Sequence, residues 1–279
     1  MRKNPNFPSM LPAALFAALA AAPACGQPHV QAQAGPQVEV DLELVLAVDV
    51  SRSMDYDEQA LQRAGYVEAF RHPEVIAAIG AGMTGRIAVT YLEWAGPGAQ
   101  LQKIPWTLID GPQSALAFAD ALAAAPIGRE RGTSISGGLV MATGLLAASP
   151  FAGLREVIDV SGDGPNNMGM PVLEARQKVL ERGVTINGLP VMLRPGVGYF
   201  NLPDLDVYYE NCVIGGPAAF LVTVDSADRF AIAIRRKLVL EIAGRTPQLL
   251  PAAMDGQADY DCLIGEKLRR QWMRGQDWE

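Results

Sequence analysis

The segment "VEVDLELVLAVDV" (38–50) constrains the fold of this chain more than any other stretch. It begins with the alternation of a β-strand and then becomes a continuous apolar run, which is typical of a central strand covered on both faces. A helical pattern follows in "DEQALQRAGYVEAFRHPEV", where Leu61, Ala64, Tyr66, Val67 and Phe70 recur at helical spacing. A buried strand, a short turn and a helix in this order predict one unit of an α/β fold.

The same alternation of strand and helix patterns continues along most of the chain. Further strands are predicted at 85–94, 99–109, 154–162, 184–191 and 218–224, and helices at 112–126, 132–149, 171–183, 204–212 and 227–244. This order predicts a three-layer α/β fold, in which a mostly parallel central sheet has helices on both faces. One antiparallel edge strand is expected, and the strand 99–109 has edge character because Pro105 cannot donate a ladder hydrogen bond.

The N-terminus has two basic residues, an apolar stretch and then small residues, which is the pattern of a secretory signal peptide. We predict a signal peptide at 1–24, a flexible linker at 25–38, one folded domain at 39–244 and a C-terminal extension at 245–279. The protein is expected to be exported to the periplasm or the extracellular space. Lipid anchoring at Cys25 is the alternative, although "APAC" lacks the usual leucine. The extension ends in a basic amphipathic pattern, for which we favour a solvated helix over a docked one.

The net charge and the cysteine content limit which classes of partner and which cellular compartment are expected. The formal net charge is −7, from 23 basic and 30 acidic residues, so nucleic acid is not expected as a partner. No stretch after the leader is long and apolar enough to span a membrane. In an oxidising compartment Cys212 and Cys262 can form a disulfide between the extension and the domain; two unpaired thiols are the equal alternative.

Three polar loops follow predicted strands or precede predicted helices: "DVSRS" (49–53), "RGTSISGG" (131–138) and "SGDGPNN" (161–167). In an open parallel sheet such loops meet at the carboxyl ends of the strands. They offer oxygen ligands, which suit Mg²⁺ or Mn²⁺ with a coordination position left open. The candidate ligands are Asp49, Ser51, Ser53, Thr133 and Asp163. The plain alternative is a set of capping serines and turn aspartates that share an edge of the sheet.

These residues resemble the metal-ion-dependent adhesion site of von Willebrand factor A-type domains, with its D-x-S-x-S motif followed by a Thr and an Asp. The resemblance covers about residues 39–244. More narrowly, "VLAVDVSRSMD", "VIDVSGDGPNN" and "YYENCVIGGPAAF" are similar to an uncharacterised group of exported bacterial proteins in this superfamily. The resemblance implies a dinucleotide-binding-like α/β fold and a divalent cation that binds protein partners, usually without catalysis. It also implies that Ser51, Ser53 and Thr133 coordinate the cation directly, and Asp49 and Asp163 directly or through water.

Several residues near these loops have two interpretations. Asp55 and Asp57 faintly resemble a second metal site, but acids in the first turn of a helix, favoured by the helix dipole, are the better account. Asn166 and Asn167 either contact a ligand or form a local turn, and the turn is favoured. Asp159 interrupts an otherwise apolar strand, and its partner cannot be read from the sequence.

Segments that resemble motifs of common enzymes lie in the wrong place relative to the predicted strands and helices. "GAGMTG" (80–85) precedes a predicted strand, whereas a dinucleotide loop follows one, and "GTSISG" is not a nucleophile elbow. The sequence has two histidines and no P-loop motif, so neither a catalytic triad nor a zinc site is recognisable.

Three hypotheses therefore stand. The first is an exported binding module that uses the cation to bind a carboxylate on a protein or peptide partner. The second is a metal-dependent hydrolase, for which Asp159, Asp55 or Glu93 would serve as general base. The third is a metal-free structural domain, against which the intact five-residue set weighs.

Overall fold

The structure is a computed structural model that describes residues 37–194, 200, 202–245 and 260–276. The predicted signal peptide, Cys25 and the linker up to residue 36 lie outside the described residues. The strands are β1 (Val38–Val40), β2 (Leu42–Asp49), β3 (Ile87–Trp94), β4 (Gln100–Ile109), β5 (Phe151–Gly153), β6 (Glu156–Gly162) and β7 (Thr185–Pro190).

Five of these strands form the central sheet, in the order β4-β3-β2-β6-β7. β2 lies parallel to both β3 and β6, and β6 lies parallel to β7. β4 runs antiparallel to β3 at one edge, while β1 and β5 form a separate short parallel pair. The predicted α/β fold, with a mostly parallel sheet and one antiparallel edge strand, is confirmed.

Helices cover both faces of the sheet. They are α1 (Tyr56–Arg71), α2 (Pro73–Gly80), α3 (Pro112–Ala124), α4 (Ile135–Ala147), α5 (Val172–Leu180), α6 (Leu205–Tyr208), a π-helical turn (Tyr209–Val213), a 3₁₀ turn (Ala227–Arg229), α7 (Phe230–Ile242) and α8 (Ile264–Gln276). One apolar cluster joins the sheet to α1, α2, α3 and α7. A second cluster joins the opposite face to α4, α5, α6 and the π-helical turn.

β2 is the central strand, as its apolar run predicted. Every residue of β2 is buried. Leu44 and Leu46 face the cluster with α1 and α7, whereas Val45 and Ala47 face the cluster with α4 and α5. Because successive side chains of a strand point to opposite faces, a strand covered on both sides must be apolar throughout.

Strand β4, which contains Pro105, lies at an edge of the sheet, as predicted. The pairing of β3 with β4 shifts its register between Val89 and Tyr91, and these residues pair with Thr107 and Ile104. Pro105 therefore lies within the irregular part of the ladder. An irregularity at an edge tolerates a residue without an N–H group.

The predicted strand 218–224 is present only as isolated bridges to β7 and the residue after it, at Leu221 and Val224. Two features of β7 interrupt a continuous ladder. The side-chain oxygen of Asn187 accepts a hydrogen bond from the backbone N–H of Phe220, at 3.0 Å. Pro190 has no N–H group to donate. The sheet is thus extended at this edge without a regular sixth strand among the described residues.

The C-terminal extension docks its helix α8 on the domain, so the preference for a solvated helix was wrong for the first half of α8. A disulfide joins Cys212 to Cys262, with an S–S distance of 2.01 Å, and resolves the equal alternatives left by the sequence. Ile264 and Leu268 pack against the core, whereas residues 270–275 are exposed. Among the described residues, no helix has the length and apolar character needed to cross a membrane.

Candidate functional site

The site begins at the carboxyl end of β2. Asp49 is the last residue of this strand and is completely buried. Its Oδ1 atom accepts a hydrogen bond from the backbone N–H of Ser51, at 2.7 Å. Its Oδ2 atom is also buried and has no hydrogen-bond partner among the described residues. A buried carboxylate oxygen without a partner is costly unless a cation or a donor binds it.

A chain of hydrogen bonds leads from this strand to the loop after β6. The hydroxyl groups of Ser51 and Ser53 are 2.7 Å apart. The Ser53 hydroxyl donates to Oδ1 of Asp163, also at 2.7 Å. Ser51 and Asp163 are buried, while Ser53 is exposed. Three oxygen-bearing side chains thus lie within reach of one another, and the group opens to solvent at Ser53.

Thr133 lies in a loop whose backbone is held on two sides. The N–H of Glu130 donates to the carbonyl of Val50, at 3.1 Å, which joins this loop to the end of β2. The N–H of Thr133 donates to Oδ1 of Asn167, at 3.0 Å, and the N–H of Asn167 donates back to the Thr133 carbonyl, at 2.9 Å. The three polar loops therefore meet at one edge of the sheet. Ser134 follows as the N-cap of α4.

Burial raises the pKa of both carboxylates of the site. Burial raises the pKa of Asp49 well above its ordinary value, and the nearby carboxylate of Asp163 raises it further. Burial raises the pKa of Asp163 to about 6, although the hydrogen bond from Ser53 acts in the opposite direction. Two buried carboxylates repel each other, and a cation between them would relieve that repulsion. The electrostatics of the site therefore favour a bound cation.

Asn166 and Asn167 are structural braces, which the preferred turn interpretation missed. Both side chains are buried. Oδ1 of Asn166 accepts from the N–H of Ser136, at 3.0 Å, and Asn167 binds the backbone of Thr133 as described. The backbone N–H of Asn166 donates to the hydroxyl of Tyr208, at 3.1 Å. These contacts fix the threonine loop against the loop of Asp163. Only the position of the asparagines beside Asp163 hinted at this role.

Tyr209 also borders the site and carried no signal in the sequence. A Cβ atom added at Gly162 would lie 3.0 Å from both Oδ2 of Asp49 and the hydroxyl of Tyr209. The hydroxyl is buried and has no hydrogen-bond partner in the described part of the chain. Burial raises the pKa of Tyr209 well above its ordinary value, and the charge of Asp49 adds to this. Tyr209 therefore stays a neutral hydroxyl close to the buried carboxylate.

Asp57 lies in the first turn of α1, as the preferred interpretation predicted, whereas Asp55 precedes that turn as the N-cap of the helix. Its Oδ1 atom accepts from the N–H of Glu58, at 2.8 Å, and the Glu58 carboxylate accepts from the N–H of Asp55, at 2.9 Å. This is a capping box at the start of α1. Arg194 forms ion pairs with both acids, at 3.4 Å from Asp55 and at a shorter distance from Glu58. These three charges form a polar rim beside Ser53.

Asp159 and Glu93, two of the candidate general bases, are engaged in buried ion pairs. Nζ of Lys237 lies 2.6 Å from Oδ1 of Asp159, and both side chains are about 1% exposed. Glu93 contacts Arg63 and lies 3.2 Å from Nζ of Lys103. Lys237 is therefore the partner of Asp159 that the sequence could not identify, because it lies on α7, far along the chain.

Histidine, cysteine, aspartate and glutamate alone do not form a metal site here. Within the described residues, no group of three or more such side chains is placed to hold a metal ion. A cation at this edge of the sheet would therefore depend on the hydroxyl groups of Ser51, Ser53 and Thr133 together with the two aspartates. Such an all-oxygen set fits a hard divalent cation.

The fold is that of a von Willebrand factor A-type domain, as the comparison with solved structures shows. The pilus adhesin SpaC of Lactobacillus rhamnosus GG is similar, with a TM-score of 0.55 and 15% identity over 75% of this chain and 31% of SpaC. The von Willebrand factor domain of the pilus tip protein Mfa5 of Porphyromonas gingivalis has a TM-score of 0.52 and 12% identity over 80% of this chain and 100% of that one. Proximal thread matrix protein 1 of the mussel byssus, solved with a zinc-occupied MIDAS motif, has a TM-score of 0.51 and 15% identity over 73% of this chain and 46% of that one.

At these identities the likeness shows the fold. The chain spans about a third of the length of SpaC and about half of the length of the byssus protein. A family model described as "protein of unknown function (DUF1194)" matches residues 39–246. The chain belongs to this family, which confirms its predicted place in an uncharacterised group. No curated protein matches the sequence.

Proposed function

We propose that this protein is an exported binding module that holds a divalent cation, Mg²⁺ or Mn²⁺, and binds a carboxylate of a protein or peptide partner through it. Asp49, Ser51, Ser53, Thr133 and Asp163 would hold the cation. The observation that carries the proposal is the hydrogen-bonded chain from Ser51 through Ser53 to Asp163, together with the buried Oδ2 atom of Asp49, which has no hydrogen-bond partner among the described residues.

The arrangement of these residues suits a weakly held cation. A bound divalent cation would supply a positive charge and an open coordination position for an acidic ligand. The hydroxyl groups of Ser51 and Ser53 contact each other and that of Ser53 contacts Asp163, so no large rearrangement is needed to present these oxygens together. The byssus protein solved with zinc at its MIDAS motif supports metal use by this kind of fold.

Export is supported by the signal-peptide pattern of the N-terminus and by the Cys212–Cys262 disulfide, because disulfides persist in oxidising compartments. The similar proteins named above include a pilus adhesin and a byssus matrix protein. The periplasm or the extracellular space is the location we propose.

Binding is favoured over hydrolysis by the engagement of the candidate bases. Asp159 is ion-paired with Lys237, Glu93 with Arg63, and Asp55 caps α1. A general base must be able to reach the proton that it removes. Each of these carboxylates already has a structural partner, so we propose no catalytic role for them.

The test is a thermal-shift measurement of the mature protein in EDTA and in millimolar Mg²⁺ or Mn²⁺. A site saturated about 100-fold adds about 2.7 kcal/mol to the free energy of unfolding, which raises Tm by about 5–10 °C in a domain of this size. Asp163→Asn is expected to abolish the metal-dependent shift. The same substitution is expected to leave Tm in EDTA unchanged or higher, because it removes one of two repelling carboxylates.

Asp110→Asn is the matched control. Asp110 also accepts a hydrogen bond from a serine hydroxyl, that of Ser114, at 2.8 Å, but it lies in the loop between β4 and α3, away from the candidate ligands. This variant should keep the full metal-dependent shift. A wild-type protein without any shift, or an Asp163→Asn variant that keeps it, would contradict the proposal.

A further inference from the structure

Helix α8 is fixed to the domain at its N-terminal end. One residue separates Cys262 from the start of the helix, and the disulfide to Cys212 holds the two Cα atoms 5.5 Å apart. The apolar side chains of Ile264 and Leu268 pack against the core cluster of α4, α5 and α6. The first half of this helix is therefore held in a defined position by a covalent bond and by apolar contacts.

This position is next to the candidate metal site. Oε1 of Glu266 accepts a hydrogen bond from Nδ2 of Asn166, at 2.7 Å. A Cβ atom added at Gly265 would lie 2.1 Å from the carbonyl oxygen of Asn166, so the helix backbone touches this loop directly. Asn166 follows Asp163 by three residues, and three residues span at most about 11 Å. The residue that α8 contacts thus lies within that distance of a candidate ligand.

The exposed part of α8 is basic. Arg274 follows Arg270 by four residues, so these two side chains neighbour one another on the helix surface, and Arg269 lies on the adjoining side of the helix, three residues after Glu266. Lys267 pairs with Asp261 at 2.6 Å, whereas the three arginines form no ion pair within the described residues. We call Arg269, Arg270 and Arg274 the basic surface of α8. It stands out in a protein whose formal net charge is −7.

An aromatic contact lies beside the basic surface. The ring of Trp272 meets the ring of Phe200 with centroids 6.0 Å apart. The carbonyl of Phe200 lies 3.5 Å from the position of a Cβ atom added at Gly164, the residue after Asp163. Trp272 still has 39% of its surface exposed. Arginines next to an exposed aromatic ring are typical of surfaces that bind other proteins.

We infer that the basic surface of α8 is a second contact surface for the partner, and that it selects a segment with several acidic residues around the carboxylate that reaches the metal. This inference rests on the proposed function. Charge complementarity supplies the argument: a cation at the site attracts one carboxylate, and the three guanidinium groups of α8, which form no ion pair within the described residues, attract its acidic neighbours. The partner is therefore an acidic protein segment.

A membrane surface is the less suitable occupant. A helix that binds a bilayer inserts its apolar face between the lipid head groups. In α8 that face is used inside the protein, because Ile264 and Leu268 pack against the core. Trp272 and Met273 are its remaining exposed large apolar residues in the second half of the helix. Binding to anionic vesicles is one outcome of the test below.

The test measures binding of a fluorescently labelled hexaglutamate peptide by anisotropy, with the mature disulfide-bonded protein in 1 mM Mn²⁺ or in EDTA. The wild type is expected to bind in Mn²⁺, and Arg269→Gln with Arg270→Gln to weaken binding about tenfold. A double variant with the same charge change, Arg182→Gln with Arg236→Gln, alters exposed positions just after α5 and on α7 and should bind like the wild type.

A second variant tests whether the position of α8 matters for peptide binding while the candidate metal site stays intact. Cys212→Ala with Cys262→Ala should weaken peptide binding by a similar factor while the metal-dependent Tm shift is kept, because α8 loses its covalent anchor and the candidate ligands do not change. Each result has one meaning. Hexaglutamate binding that is unaffected by the loss of Arg269 and Arg270 overturns the inference while a normal metal-dependent Tm shift leaves the proposed function intact.

A wild-type protein that shows no metal-dependent Tm shift, by contrast, overturns the proposed function itself. Arginine-dependent binding to vesicles of phosphatidylglycerol, without binding to hexaglutamate, also overturns the inference and assigns α8 to a membrane. If the wild type binds hexaglutamate and a hexaserine control equally, the inference of an acidic partner is also overturned.

Discussion

Lys237→Met is expected to be the most destabilising single substitution considered for this domain. Nζ of Lys237 lies 2.6 Å from Asp159, contacts Glu241, and stands 5.5 Å from the centroid of the Phe220 ring. The three charged side chains are almost completely buried. Without the lysine, two carboxylates remain in the core with no cation. Removing one partner of a buried ion pair costs about 3–5 kcal/mol, which is a large part of a total stability of about 5–15 kcal/mol.

The loss should depend on pH in a defined direction. Burial, with repulsion from Asp159, raises the pKa of Glu241 to about 7 even though Lys237 lowers it. In the Lys237→Met variant this lowering is lost, so the folded protein holds protons on these carboxyl groups to a higher pH than the unfolded chain does. Stability therefore falls as pH rises, and it falls more steeply in the variant than in the wild type. The difference between them should be smallest near pH 5 and largest near pH 8.

Urea denaturation followed by circular dichroism at these two pH values measures both effects. Lys267→Met is the matched control, because Nζ of Lys267 also lies 2.6 Å from a carboxylate, that of Asp261, but at the surface. This control should lose less than about 1 kcal/mol. A Lys237→Met variant within about 1 kcal/mol of the wild type at pH 8 would refute the reasoning.

A triple variant gives a second check. Adding Asp159→Asn and Glu241→Gln to Lys237→Met removes all three charges. The amide introduced by Glu241→Gln keeps an oxygen for the hydrogen bond from Nδ2 of Asn187, which is 2.9 Å long in the native protein. Because a buried set of charges contributes little beyond its neutral replacement, most of the lost stability should return. A triple variant as unstable as the single one would show that packing, not charge, is the cause.

Three further predictions concern the disulfide that anchors α8, the brace of the threonine loop and the cap of α1. Cys212→Ala with Cys262→Ala opens a loop of 50 residues and should lower the free energy of unfolding by about 4 kcal/mol in the chain-entropy account, measured by urea denaturation against the oxidised wild type. Asn167→Ala leaves the N–H of Thr133 without its partner and should lower stability by about 1–2 kcal/mol and weaken Mn²⁺ binding in a titration; unchanged Mn²⁺ affinity would show that the brace does not position Thr133. Asp55→Ala removes the cap of α1 and should lower stability by about 1 kcal/mol while the metal-dependent Tm shift is kept, and loss of that shift would assign Asp55 to the metal site.

The sequence predicted the sheet well because its strands are covered on both faces. The apolar run of β2 and the mainly apolar patterns of β3 and β6 are distinct from the helical patterns between them. The segment 218–224 has the composition of a strand, but its hydrogen bonds depend on the Asn187 side chain and on Pro190, which belong to another part of the chain. Composition alone cannot reveal such an interruption.

The sequence predicted that the candidate residues meet at one edge of the sheet, but not which residues support them. Asp49 and Ser51 are close in sequence, and Asp163 follows a strand, so their meeting at one edge follows from the topology of a parallel sheet. Their braces act over distance: Asn167 holds a loop 34 residues earlier in the chain, and Glu266 reaches Asn166 across 100 residues. Pairings of this kind leave no periodic trace in a single sequence.

The hydrogen bond between Ser53 and Asp163 joins residues that are 110 positions apart. Contacts of such large sequence separation form slowly, because the entropy of closing the intervening chain must be overcome before they contribute stability. We therefore expect the candidate ligands to assemble only after β2 and β6 have paired. Affinity for the proposed cation should then report on completion of the fold, since an intermediate that holds either half of the sheet alone has no complete set of candidate ligands.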